Sequence, residues 1–141
     1  MAPHNRKAGD RRLKDMSADA ALEHDADGPP SDEIEYEQTF PIGENVAYVQ
    51  RFVMDDRDRI KRWAVVQIRR VQGSWHRVAV YDTCHEKGIH VHFYDKEDVE
   101  FAETHLRSVD SNADLVEGLD YAVVRVVEAW RENERRSERG Y

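Results

Sequence analysis

Alternation of apolar and polar side chains in four segments of the chain constrains the fold most strongly. The clearest is 89–94, IHVHFY, and residues 44–54, 61–71 and 75–82 share its two-residue period, with turn residues between them. Because successive side chains of a strand point to opposite faces, this pattern predicts antiparallel strands that bury one face. A weaker strand is expected within 99–106, VEFAETHL.

The C-terminal part of the chain has helical periodicity instead. Ser111, followed three residues later by Asp114, resembles a capping box. Six apolar residues then fall on one stripe at helical spacing: Leu115, Leu119, Ala122, Val123, Val126 and Trp130. The charged sequence after Trp130 predicts a fraying end. The expected fold class is therefore α+β, an antiparallel sheet of four to five strands with one C-terminal amphipathic helix packed on one face.

Residues 1–36 differ in composition from the rest of the chain. They contain few large apolar side chains and a Gly-Pro-Pro at 28–30, which predicts a disordered charged arm ahead of a single α+β domain over 37–141. Of the formal net charge of −8, residues 1–14 contribute +4 and residues 15–37 contribute −9, which leaves −3 for the remainder. The predicted domain is therefore only mildly acidic.

Several classes of protein are excluded by what the sequence lacks. No apolar run reaches the length of a bilayer and no secretory h-region is visible, so we expect a cytoplasmic protein without membrane contact. The single cysteine, Cys84, rules out an internal disulfide and a multi-cysteine metal centre. No glycine-rich phosphate loop, Ser-His-Asp order or helix-turn-helix signature is present.

A sheet covered by one helix is expected to keep its other face in water. The expected core face is aliphatic and phenyl: Ala64, Val66, Ile68, Val78, Val80, Ile89, Val91 and Phe93. The expected open face is aromatic, basic and rich in imidazole: Trp63, Gln67, Arg69, Trp75, Arg77, Tyr81, His90, His92 and Tyr94. Such a surface suits RNA, because aromatic rings stack on bases and cations bind phosphates.

Residues 81–95, YDTCHEKGIHVHFYD, concentrate side chains that can transfer protons. His90 and His92 are two residues apart on the predicted strand, so their side chains point to the same face with Cβ atoms about 7 Å apart. RNA cleavage needs one group to accept the 2′-hydroxyl proton, another to protonate the leaving oxygen, and a cation beside the phosphorane. Imidazoles suit the first two tasks, because they titrate near neutral pH. The candidate catalytic residues are the proton carriers His90 and His92 with His85 in reserve, the charge stabiliser Lys87 or Arg77, and the positioning groups Asp82 and Tyr81.

Two other interpretations of the histidine strand stay open. Alternate histidines on an exposed strand are also compatible with a solvated surface that performs no chemistry. A divalent metal such as zinc at His90 and His92, with His85 or Asp82 as the third ligand, would leave a coordination position free for hydrolysis. Gly88 is expected to supply a positive φ in the turn before this strand, and His105 has no predicted partner.

The stretch YDTCHEKGIHVH resembles the signature of the TumE family of toxins from toxin–antitoxin modules, which reads Tyr-Asp-Asn, three variable residues, Lys-Gly and His-x-His. The matching positions are Tyr81, Asp82, Lys87, Gly88, His90 and His92, with Thr83 where that family usually has Asn. The layout of residues 75–130 is also similar. The resemblance implies a small intracellular toxin that a cognate DNA-binding antitoxin neutralises, and toxins of this size usually act on RNA or on the translation machinery.

The expected function is therefore that of a toxin-like component of a toxin–antitoxin module, a candidate ribonuclease that uses histidine acid–base catalysis without a cofactor. The alternative is a non-catalytic regulatory module whose sheet face or sheet edge binds a partner protein.

Overall fold

A computed structural model of the chain describes residues 33–83 and 88–141. The elements are β1 (Ile34–Gly43), β2 (Val46–Met54), β3 (Ile60–Val71), β4 (Ser74–Asp82), β5 (Gly88–Tyr94), β6 (Glu100–Ser108) and one helix, α1 (Asn112–Arg139). The strands form one antiparallel sheet in the order of the sequence. The predicted α+β class is confirmed, with six strands where four to five were expected.

The additional strand is β1, IEYEQTFPIG, which was not predicted. Its sequence does alternate: Ile34, Tyr36, Phe40 and Ile42 fall in one phase, which only Gln38 interrupts, and the other phase is polar or small. The predicted boundary at residue 36 divided this pattern between arm and domain, and so the strand was missed. It pairs with β2 from Ile34 opposite Met54 to Gly43 opposite Val46. The folded part therefore begins at or before Ile34, within the segment predicted as arm, and residues 1–32 of that arm lie outside the described residues.

Two matching turns join β2 to β3 and β5 to β6. In the first, the Asp55 carboxylate accepts hydrogen bonds from the backbone N–H groups of Arg57 and Arg59. In the second, Asp95 accepts the equivalent bonds from the backbones of residues 97 and 99. Each turn places a second aspartate in the left-handed region, with φ of 61° at Asp58 and 65° at Asp98. Short aspartates tolerate this conformation, and Asp98 thereby reaches β4.

Helix α1 covers one face of the sheet and buries an aromatic-rich cluster: Tyr48, Trp63, Val65, Ala79, Tyr81, Ile89, Val91 and Phe93. The indole N–H of Trp63 donates a 2.8 Å hydrogen bond to the backbone carbonyl of Leu115. The opposite face buries a second cluster, which includes no helical residue among the described ones: Ala47, Val49, Ala64, Val66, Ile68, Val80 and Tyr94.

The expected assignment of β3 and of the C-terminal half of β4 to the two faces is therefore wrong, although that of β5 and of Trp75 and Arg77 in β4 is right. Both phases of β3 and β4 are largely apolar, so alternation could not choose between them. The register decides, because cross-strand partners share a face: Tyr81 pairs with Val91 beneath α1, and Val80 pairs with His92 on the other side. A β-bulge in the pairing of β3 with β4 places Arg77 opposite Ile68, on the face of His92.

Helix α1 begins as predicted but ends later. The Ser111 side chain accepts a hydrogen bond from the backbone N–H of Asp114, and the helix continues to Arg139 with Gly140 as a left-handed C-cap. The prediction of fraying beyond Trp130 is wrong, because polar contacts dock the last turns. The buried amide of Asn133 donates to Gln67 Oε1 at 2.9 Å and to the Tyr81 hydroxyl at 3.2 Å. Among the described residues, no helix combines the length and apolar character needed to cross a bilayer.

Replacing Asn133 with Ala should lower the free energy of unfolding by about 1–3 kcal/mol, because Gln67 and Tyr81 stay buried after losing a hydrogen-bond partner. Urea denaturation monitored by circular dichroism would measure the difference. Glu132→Ala is the matched control: its ion pair with Arg135 is exposed to solvent, so its loss should change the free energy of unfolding far less than the loss of Asn133. Equal effects of the two substitutions would contradict a docked helix end.

Candidate functional site

Strands β4, β5 and β6 bring ionisable side chains together on the sheet face opposite α1. The register pairs Asp82 with His90, His90 with His105, and His92 with Glu103, so these side chains share a face. Glu100 reaches the same place at the start of β6. We call this group the histidine cluster: Asp82, His90, His92, Glu100, Glu103 and His105.

Three of the predicted site residues belong to this cluster, namely His90, His92 and Asp82. Tyr81 lies on the other face, only 1% exposed, where burial raises the pKa of its phenol and its hydroxyl accepts from Asn133. Tyr81 and Asp82 therefore cannot position the same ligand. Lys87 and His85 lie outside the described residues, as does Cys84.

His92 is the most enclosed imidazole of the cluster, and carboxylates flank both of its ring nitrogens. Nδ1 lies 2.9 Å from Glu100 Oε2 and 4.0 Å from Glu103 Oε1. Nε2 lies 3.5 Å from Oδ1 of Asp82, whose side chain is 2% exposed. A carboxylate can only accept, so the 2.9 Å contact with Glu100 requires a proton on Nδ1.

The charge state of His92 follows from these contacts. Burial lowers the pKa of His92, but hydrogen bonding and Coulomb attraction from Asp82 and Glu100 outweigh burial and raise the pKa to about 9. At neutral pH the ring is therefore an imidazolium. It can donate a proton or stabilise an anion, but it is a poor general base.

A second contact within the cluster joins His90 to His105. The ring centroids lie 5.0 Å apart, with the ring planes at 69°. The His105 ring packs over Gly88, where a Cβ atom would approach His105 Cε1 to 2.5 Å. Gly88 does not have the positive φ that was expected of it, which among the described glycines occurs only at Gly73 and Gly140. The glycine instead makes room for an imidazole.

Sequence reasoning missed Glu100, Glu103 and His105. Two irregularities in the pairing of β5 with β6, between Ile89 and His90 and between Phe93 and Tyr94, shift the register, so the polar residues of β6 do not follow a simple alternation. One signal could have found them. They lie on the strand that directly follows the histidine strand after a short turn, and such strands usually pair.

Arg77, a predicted charge stabiliser, lies on the same face but is engaged by other groups. Its guanidinium contacts the Asp98 carboxylate at 3.2 Å, and it lies 4.1 Å from the ring centroid of Tyr94. Burial raises the pKa of that phenol to about 12, so Tyr94 is neutral beneath the cation. The guanidinium of Arg77 is therefore already bound to Asp98 and Tyr94, which argues against its role as the charge stabiliser of the site.

The expected wet, aromatic surface is also wrong in its main features. Trp63 and Tyr81 lie beneath α1, which leaves Trp75 and Tyr94 as the predicted stacking rings on the face of the histidine cluster. This face is apolar and buried over β2, β3 and β4. Solvent reaches the cluster from the β6 side, where the side chains of Glu100 and Glu103 are 41% and 42% exposed.

Comparisons of the chain with protein-family models, with curated proteins and with solved structures found no significant match.

The packing of His105 on Gly88 can be tested with a double-mutant cycle. Gly88→Ala should lower the free energy of unfolding by about 1 kcal/mol or more, because the new methyl group overlaps the imidazole. In a His105→Ala background the same change should cost less, since the overlap with the imidazole is gone and the Arg107 carbonyl oxygen lies farther away, at 3.1 Å. Urea denaturation of the four proteins provides the comparison. If Gly88→Ala lowered the free energy of unfolding equally in both backgrounds, the His105 ring would not be the reason why position 88 requires glycine.

The His92 contacts predict a specific pH dependence of stability. Since the pKa of His92 is raised in the folded state, its contribution is complete below its unfolded pKa of about 6.5 and disappears as pH rises towards about 9. The free energy of unfolding of chelator-treated protein should therefore fall by up to about 3 kcal/mol across this range. His92→Gln should remove that slope, and a variant with the parental slope would show that another group titrates.

Proposed function

We propose that this protein is the toxin-like component of a toxin–antitoxin module and that it cleaves RNA at the histidine cluster. The observation that carries the proposal is the convergence of Asp82, His90 and His92 on one face, away from α1 and beside His105. His90 and His92 would share a face in any strand, but only the register of β4 with β5 adds Asp82. Of the described ionisable members of the TumE-like motif, Asp82, His90 and His92 thus lie together, whereas Tyr81 lies on the other face.

Cleavage by this site would follow the acid–base route. One imidazole accepts the proton of the 2′-hydroxyl, the 2′-oxygen bonds to phosphorus, and the bond from phosphorus to the 5′-oxygen breaks as a second imidazole protonates that oxygen. The products are a 2′,3′-cyclic phosphate and a 5′-hydroxyl. No cofactor is consumed in this route.

The geometry favours His90 and His105 for proton transfer, with His92 as the positive charge beside them. His90 and His105 are less buried than His92, and their rings are in edge contact. His92 is held as an imidazolium by Asp82 and Glu100 and can stabilise the charge that builds on the phosphorane. This assignment differs from the sequence-based one, which paired His90 with His92.

The alternative function, a non-catalytic module that binds a partner protein, has one observation in its favour. Strand β6 is at the edge of the sheet, and among the described strands it pairs with β5 alone. Its outer edge therefore offers backbone groups to which another chain could add a strand. A cognate antitoxin that bound there would also cover Glu100, Glu103 and His105.

The proposal predicts that His90→Ala and His105→Ala each reduce RNA cleavage by at least about 100-fold and relieve growth inhibition on induced expression. His76→Ala, at the opposite end of β4, is the matched control and should leave both activities unchanged. Purified proteins would be incubated with total RNA, and thermal melts would confirm that each variant is folded. The 3′ ends of the products would identify the cyclic phosphate.

Cleavage that persists in both cluster variants would refute the assignment of the site. Growth inhibition without RNA cleavage by the parent protein would instead favour the interaction module.

A further inference from the structure

The Nδ1 side of the His92 ring carries two carboxylates, an arrangement that suits a divalent cation. Glu100 and Glu103 both approach Nδ1 of His92, at 2.9 Å and 4.0 Å. The nitrogen and one oxygen from each carboxylate all lie within 4.8 Å of one another. A nitrogen and two carboxylate oxygens therefore lie close together on one side of the ring.

These separations suit a shared metal ion. Ligand bonds to zinc from imidazole and carboxylate are about 2.0–2.2 Å long, so two atoms that bind one ion are at most about 4.3 Å apart. Both Nδ1 distances already satisfy that limit. Glu100 and Glu103 are partly exposed, and small rotations of their side chains would bring the remaining oxygen pair into range.

Asp82 supplies the independent observation. Its carboxylate is 2% exposed, and its Oδ1 lies 3.5 Å from Nε2 of His92. A buried carboxylate behind the second nitrogen of a histidine is the usual outer partner of a metal-bound imidazole. It fixes the tautomer with the proton on Nε2 and leaves the Nδ1 lone pair for the metal.

The carboxylates around the His92 ring also favour a cation electrostatically. Asp82 lies beside Nε2, and Glu100 and Glu103 lie beside Nδ1. A divalent ion at Nδ1 would be attracted by all three carboxylates, most strongly by groups that are shielded from water, as Asp82 is.

We propose that His92 Nδ1, Glu100 and Glu103 bind one divalent first-row transition metal ion, with Asp82 orienting the imidazole from behind. The mixed nitrogen and oxygen donors suit zinc or manganese. The sequence suggested a different site at His90 and His92, but the His90 ring packs against His105. Metal binding goes beyond the proposed ribonuclease activity and does not depend on it.

Three protein ligands would leave positions on the ion for water or a phosphate oxygen. A phosphodiester could then approach this face although it carries three carboxylates, because the ion supplies the positive charge.

Untagged full-length protein, freed of metal with chelator and dialysed, would be titrated with Zn²⁺ and with Mn²⁺ in competition with a chromophoric chelator, in the absence of RNA. One ion per chain should bind. His92→Gln, Glu100→Gln and Glu103→Gln should each weaken binding by at least about 10-fold, and Asp82→Asn by about 10-fold through the imidazole. Glu97→Gln, in the exposed β5–β6 turn, is the matched control and should bind as the parent does.

Circular dichroism would establish that the variants are folded. If His92→Gln is unstable, the test relies on Glu100→Gln and Glu103→Gln, because both side chains are partly exposed. Dissociation constants weaker than about 1 mM for both ions, or equal affinities in the parent and the Glu100→Gln and Glu103→Gln variants, would overturn the proposal. Because no RNA is present, either result leaves the ribonuclease proposal to its own experiment.

Discussion

The pairing register between β4 and β5 is the constraint on which the rest of this structure depends. It places Tyr81 opposite Val91 and Asp82 opposite His90, and so divides two adjacent motif residues between the two faces of the sheet. A slip of one residue would send every side chain of β4 to the other face. Asp82 would then lie beneath the helix, away from His92, and the imidazoles would lose their buried carboxylate. The fold and the candidate site are therefore set by the same set of backbone hydrogen bonds.

The face beneath α1 must satisfy buried polar atoms within a mainly apolar layer. Beneath α1, Tyr81 and Gln67 contribute polar atoms to a mainly apolar layer, and Asn133 satisfies them from the helix. The last turns of the helix are held by these directional bonds, which an apolar stripe would not provide. Tyr81 thus has a structural task, although it belongs to the same sequence motif as Asp82.

On the other face, the balance between carboxylates and cations determines what the cluster can do. His92 is held between Asp82 and Glu100 and remains charged at neutral pH, which favours an electrostatic role over that of a base. Three carboxylates would repel a phosphodiester unless a positive charge lies between them and the substrate. An imidazolium can supply part of that charge, and a divalent ion can supply more. The proposed RNA cleavage and the proposed metal site are therefore compatible, although each has its own test.

The sequence by itself determined the class of the fold, the strand and helix periods, the N-cap at Ser111, and the shared face of His90 and His92. These follow from local stereochemistry, because side-chain direction along one element depends only on its period. It could not determine which face α1 covers, since both phases of β3 and β4 are largely apolar. The alternation of β1 was present in the sequence, but the composition-based boundary at residue 36 cut through it. It also could not assemble Glu100, Glu103 and His105 with His92. Cross-strand pairing and its irregularities decide these features, and they are set by contacts between segments that no single segment encodes.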